Sequence, residues 1–120
     1  MIGSIYLPCV GRLYSAVRGG GAWCAGVPIH VSRATDLAQA TITVGISRRT
    51  SPDLSLPMIE TALRGGSALR SLGSCVVALA MVAEGTAAGY FEAHVQAWDC
   101  LAGILIVREA GGRTNEVSGP

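Results

Sequence analysis

A chain of 120 residues is the length of one domain, and with half of its residues apolar it can bury a core without disulfide or metal staples. Charged residues make up only 14% of it, where about 25% is ordinary, so part of its surface is expected to be covered by another subunit or a further piece of protein. A net charge of +1 with no basic run argues against a nucleic-acid footprint or a membrane-surface patch, and the longest apolar runs, Cys75 to Ala83 and Leu101 to Val107, fall well short of the ~18 residues that span a bilayer.

Residues 3–31 read as an antiparallel β region. Gly3 to Pro8 form a first strand and Gly11 a turn. From Arg12 to Arg18, Leu13, Ser15 and Val17 alternate with Arg12, Tyr14, Ala16 and Arg18, the period of two of a half-buried strand. Gly19-Gly20-Gly21 breaks the strand, Ala22 to Cys24 resumes it, Ala25-Gly26 turns, and Val27 to Val31 completes a meander. A brief helical turn is expected near Asp36 to Gln39. Thr41 to Ile46, β-branched and apolar, is expected to be a buried strand.

The period then changes. Ser51 followed by Pro52 and Asp53 opens a helix that Gly65-Gly66 ends. Ala68 to Leu72 is a short strand, Gly73-Ser74 begins an apolar helix that stops at Gly85, and Ala88 to Glu92 is another strand. Trp98-Asp99 starts a last helix, Cys100 to Ala110, terminated by Gly111-Gly112, and Arg113 to Val117 is a final strand. Helices that are apolar all round must be buried on more than one side. The predicted fold class is therefore α/β, a layered sandwich with its central helices enclosed.

Candidate chemistry sits at the ends of elements. Gly73-Ser74 leads into a helix whose free N–H groups favour an anion or a ligand hydroxyl, although Ser74 also satisfies the rules for a simple N-cap. Asp99 poses the same alternative: a cap, or a carboxylate offered to a hard cation such as Mg²⁺. Glu92, at the end of the preceding strand, is expected at the same edge. Gly19-Gly20-Gly21 lacks the Lys-Ser/Thr of a phosphate loop and reads as a hairpin turn. Cys75 with His94 as base is set aside as a nucleophile because nothing places them together. His30 is expected to face solvent and Met81 to pack in the core. Cys9, Cys24, Cys75 and Cys100 show no CxxC and suit free thiols in a reducing compartment, and the N-terminus has no secretory signature, so a cytoplasmic location is expected.

The stretch Trp98-Asp99-Cys-Leu-Ala-Gly-Ile-Leu-Ile-Val-Arg-Glu-Ala-Gly-Gly112 resembles the second signature of the inositol monophosphatase family, WDxxAGxxIxxEAGG. LRSLGSCVVALAMVAEGTAAGYFE is similar to that family's strand, Gly-Ser/Thr turn, buried helix and strand ending in glutamate. GSIYLPCVGRLYSAVRGGGAWCAGVPIHVS resembles its opening β run, so the resemblance covers nearly the whole chain. It implies an αβαβα phosphomonoesterase that is Mg²⁺-dependent and lithium-sensitive.

By the same resemblance, Asp99 matches a metal ligand, Glu92 a glutamate that contacts substrate hydroxyls, and Gly73, Ser74 and Cys75 a turn that lines the substrate pocket. The family's other glutamate ligand and its Asp-Pro-x-Asp-Gly-Thr motif are absent here, Cys75 stands where alanine is usual, and Ala78 where an acidic or amide residue is frequent. Residues 1–120 thus look like the single C-terminal-half domain of such a protein, with no complete catalytic set. The expected parent is a homo-oligomer acting on a small phosphorylated polyol such as inositol 1-phosphate, and this chain alone is expected to be inactive and to lack partners among nucleic acids and membranes. Two other readings stay open. One is a non-catalytic remnant or subunit that binds a partner, or the missing N-terminal half, through its apolar face. The other is a phosphatase of the same superfamily acting on histidinol phosphate, fructose bisphosphate or a phosphonucleotide.

Overall fold

Alternation along the chain sets the first layer. β1 (Ile2–Leu7), β2 (Arg12–Val17), β3 (Gly21–Cys24) and β4 (Val27–Pro28) form an antiparallel meander in chain order. The computed structural model describes residues 1–8, 10–45, 52–72, 74–92 and 97–114, and for residue 54 and residues 97–100 the backbone alone. One face of the meander carries Ile5, Tyr14, Ala16 and Ala22, all buried. The other carries the cross-strand pairs Ile2–Val17 and Tyr6–Leu13, all four side chains exposed. The turn Ala25-Gly26 has positive φ at both residues, 51° and 80°, the geometry that lets a two-residue hairpin follow the twist of its strands.

The second layer is parallel. β5 (Thr41–Gly45) lies between β6 (Ala68–Arg70) and β7 (Gly89–Glu92). Its neighbours Thr43 and Val44, which point to opposite faces, are both buried, as expected for a central parallel strand covered on both sides. α1 (Pro52–Arg64) connects β5 to β6 and α2 (Cys75–Ala83) connects β6 to β7, while α3 (Ala97–Glu109) follows β7. α1 packs on β6. α2 and α3 pack on each other, α3 lies across β1, β2 and β3, and α2 reaches both β1 and β7. The helical pair is thus held between sheets, which explains why neither helix has a polar face.

The main core is the seam between the antiparallel sheet and these helices: Ile5, Tyr14 and Ala16 meet Leu79, Val82 and Ala83 of α2 and Leu105, Ile106 and Val107 of α3. Its closeness depends on missing side chains. A Cβ on Gly103 would stand 2.6 Å from Leu79 Cδ1 and 3.0 Å from Leu79 Cβ, and one on Gly3 would stand 3.4 Å from the Ala102 backbone. The Ala102-Gly103 pair of the signature is therefore where α3 approaches both α2 and β1.

The end of the same signature is a clamp. Glu109 accepts hydrogen bonds from the backbone N–H groups of Gly19 (3.1 Å) and Gly21 (2.9 Å) in the β2–β3 turn. These bonds hold its carboxyl below the usual value of 4.5, with Arg18 helping. Ala110 O accepts from Val31 N at 3.1 Å, and Gly112 lies against Val31 and Val107. A second tie joins the sheet to the end of α2. The buried Tyr14 donates to Glu84 Oε2 at 2.8 Å, Arg12 pairs with the same oxygen at 3.4 Å and Thr86 donates to Oε1. Burial, then the bond to Glu84, pushes the Tyr14 phenol up to about 12.

Four expectations are corrected in detail. α3 begins at Ala97, so Asp99 is its third residue rather than its cap, a position where a negative charge still favours the helix through the dipole. The strand expected over Val27 to Val31 pairs in the ladder only at Val27–Pro28, because β3 begins at Gly21 and the chain leaves it for the end of α3. Ile29 and Val31 instead bond singly to Ala22 and Ala110. The strand expected over Ala68 to Leu72 stops at Arg70. Of the strand expected over Arg113 to Val117, Arg113 and Thr114 are irregular and the rest lies outside the described residues. Ile46, Ser51, Gly73 and His94 also lie outside them.

Candidate functional site

At the C-terminal ends of β5 and β7, facing the first turn of α2, is a pocket of about 50 Å³ lined by Thr43, Val44, Gly45, Leu72, Ser74, Ala78, Tyr90 and Glu92. This is where open parallel sheets place ligands, since the strand ends splay and helix N-termini point inward. A whole small-molecule site usually needs ~300–1,000 Å³, so this pocket alone is too small to enclose one.

Ser74 has extended backbone (φ −143°, ψ 122°) and its Oγ accepts from Val77 N at 3.3 Å. It is therefore the N-cap that local sequence suggested, and it also borders the pocket, so the two readings of this residue are compatible. Its hydroxyl proton is not needed for capping and can be donated. Glu92 ends β7 and lies opposite Gly45 in register. Its Oε1 accepts from the Tyr90 hydroxyl. Thr43 Oγ1 donates to Gly89 O at 3.0 Å, tying β5 to β7 beneath the pocket.

Of the residues singled out from sequence, Ser74 and Glu92 are brought together. Cys75, half-buried, packs against the core cluster rather than lining the pocket. Asp99 lies in the first turn of α3, with its side chain outside the description, and Gly73 lies outside the described residues altogether. His30 is exposed and Met81 packs on the core, as expected. Tyr90 and Gly45 were missed. The spacing Tyr90-x-Glu92 on one strand face was a usable signal, whereas Gly45 becomes visible only when β5 and β7 are paired. Among the described residues no group of three or more His, Cys, Asp and Glu could hold a metal ion, and no helix is long and apolar enough to cross a membrane.

The model of the family described as "Inositol monophosphatase family" matches residues 1–120. The chain belongs to the inositol monophosphatase family. Inositol monophosphatase 2 of Rattus norvegicus is 38% identical over 112 residues, 90% of this chain and 39% of that protein. Nus factor SuhB of Pasteurella multocida is 37% identical over 121 residues, 98% of this chain and 45% of that protein. Among solved structures, extragenic suppressor protein suhB from Bartonella henselae superposes with a TM-score of 0.88 at 34% identity, covering 92% of this chain and 43% of that one. The chain thus spans less than half the length of the relatives it matches, and the layered α/β sandwich is the fold it shares with them.

Proposed function

We propose that residues 1–120 are the C-terminal-half domain of an inositol monophosphatase-family phosphomonoesterase and supply the wall that receives the alcohol part of a phosphorylated polyol such as inositol 1-phosphate. The observation that carries this reading is the convergence of Glu92 and Ser74 on one pocket at the C-terminal strand ends. A carboxylate accepts hydrogen bonds only, and a cap serine retains a proton to donate. That pair suits the hydroxyl groups of a polyol and repels a second phosphate at the same end. Gly73 and Cys75 belong to the same turn by family resemblance.

Mg²⁺ is the cofactor of the proposed parent, and the described residues do not fit it unaided: the only carboxylate at the pocket among them is Glu92, with one oxygen committed to Tyr90. We assign Asp99 as this chain's one ligand, the others coming from an N-terminal half that bears the family's Glu and Asp-Pro-x-Asp-Gly-Thr motifs. The proposed parent is a cytoplasmic homo-oligomer.

The test is Asp99→Asn in a chain completed with the N-terminal half of a relative. Replacing Asp in the first helical turn costs stability only ~0.3–1 kcal/mol through the dipole. Removing one preorganised charge contact from the reacting centre costs roughly 10²–10⁴ in rate. A large rate loss with a nearly unchanged melting temperature is expected, and retention of more than about a tenth of the activity, a barrier change under ~1.4 kcal/mol, overturns the assignment. A second reading, a non-catalytic subunit that binds a partner through its apolar face, is favoured by the exposed Ile2, Tyr6, Leu13 and Val17 on the open side of the antiparallel sheet. Metal-dependent release of phosphate from inositol 1-phosphate by the completed chain decides between the two.

A further inference from the structure

Gly45 is a glycine for want of space rather than for backbone freedom. It ends β5 with no positive φ, and its partner across the sheet is Glu92, while Thr43 faces Tyr90. A Cβ at Gly45 would stand 2.6 Å from Tyr90 Oη and 2.8 Å from Glu92 Cδ, and closer still to Glu92 Oε1. The phenol and the carboxylate therefore lie bonded to each other directly over this glycine. Tyr90 and Glu92 are two apart on β7 and share a face. The Tyr90 ring packs against the hydrophobic core, so its hydroxyl is delivered to the pocket from a fixed base.

A glutamate has three side-chain torsions, and a ligand that had to fix them itself would lose affinity to the ordering. A donor on Oε1 removes that freedom and leaves the remaining lone pairs of the carboxylate for hydroxyl donors. We infer that Tyr90 is a positioning residue for Glu92: over the space kept open by Gly45, its hydroxyl holds the carboxylate in the orientation that accepts a polyol hydroxyl. The inference rests on the polyol-binding reading of the pocket and adds to it the residue that makes Glu92 selective.

The experiment compares inositol 1-phosphate with p-nitrophenyl phosphate, which has no hydroxyl groups on its leaving part, as substrates of the chain completed with a relative's N-terminal half. Wild type, Tyr90→Phe and Glu92→Gln are assayed together. Tyr90→Phe keeps the ring and so keeps the packing. It is expected to raise KM for inositol 1-phosphate about tenfold, the effect of losing a bond worth ~1.4 kcal/mol, while KM for p-nitrophenyl phosphate, kcat and the melting temperature stay within about twofold and a few degrees of wild type. Glu92→Gln should move the same KM at least as far. If Glu92→Gln shifts that KM and Tyr90→Phe does not, the inference is overturned and the polyol reading stands. Should neither variant change the preference between the two esters, or should the wild type hydrolyse neither, the polyol reading falls and the inference with it. Equal KM changes on both esters, or a lowered melting temperature, would make Tyr90 a packing residue and also overturn the inference.

Discussion

Gly103→Ala tests whether the signature glycine of α3 is there for helix packing. Gly103 is buried in mid-helix, and on helix propensity alone alanine should stabilise it by ~1 kcal/mol. The contact with Leu79 opposes this. Leu79 Cδ1, at 2.6 Å from the new Cβ, can move by a change of rotamer, but Leu79 Cβ at 3.0 Å moves only if α2 moves. Overpacking of this kind costs ~1–3 kcal/mol, and because a main-chain shift is needed the upper part of that range applies. The net expectation is a loss of about 1–2 kcal/mol, or a melting temperature lower by roughly 4–8 °C for a domain of this size. The assay is thermal unfolding followed by far-ultraviolet circular dichroism, at concentrations where the midpoint is independent of concentration. Leu79→Ala opens the space the new methyl needs, so the double variant should be more stable than the sum of the singles by ~0.5 kcal/mol or more. A Gly103→Ala chain as stable as wild type, or an additive double variant, would refute the packing argument.

The clamp at Glu109 predicts a pH effect. Its folded carboxyl titrates below its ordinary value, so its contribution is present above that value and is lost as pH falls through the lower, folded one. Glu109→Gln should therefore flatten the acid limb of the stability profile and leave the alkaline limb unchanged, as checked by melting temperatures between pH 3 and 7, ~ the range in which a carboxyl titrates. The exposed Ile2, Tyr6, Leu13 and Val17 on the open sheet face predict that the 120-residue chain self-associates or binds a hydrophobic dye, and a monodisperse monomer without dye binding in sedimentation counts against it.

Much of the layered fold could be read from the chain because its cues are local. The alternation around Tyr14, the glycines after Arg64, and Ser74 ahead of an apolar run each act within a few residues, and each produced the element expected. What was misread depended on partners far away. Val27 to Val31 has the composition of a strand, but its ladder ends at Pro28. Asp99 satisfies the capping rules although α3 starts at Ala97. In the site, the position of Glu92 followed from its place at the end of a strand, and Ser74 from its place before a helix. The roles of Tyr90 and Gly45 needed the β5–β7 register, which joins segments more than forty residues apart. Glu109 reads as a motif letter until the turn at Gly19 to Gly21 is brought beside it.

That last contact also orders events in time. Gly19 and Gly21 are separated from Glu109 by 90 and 88 positions, and the inner face of the first sheet is covered by residues of α2 and α3 from the far end of the chain. The cover over Ile5, Tyr14 and Ala16 comes in part from α2 and is complete only once α3, to residue 107, is in place. Contacts this distant in sequence carry a large loop-closure cost and slow the folding of the whole unit. Nascent chains are thus most exposed to edge-to-edge pairing of the early hairpins. The glycine–glutamate clamp joins two of these distant segments, so it adds to stability only when both are in place.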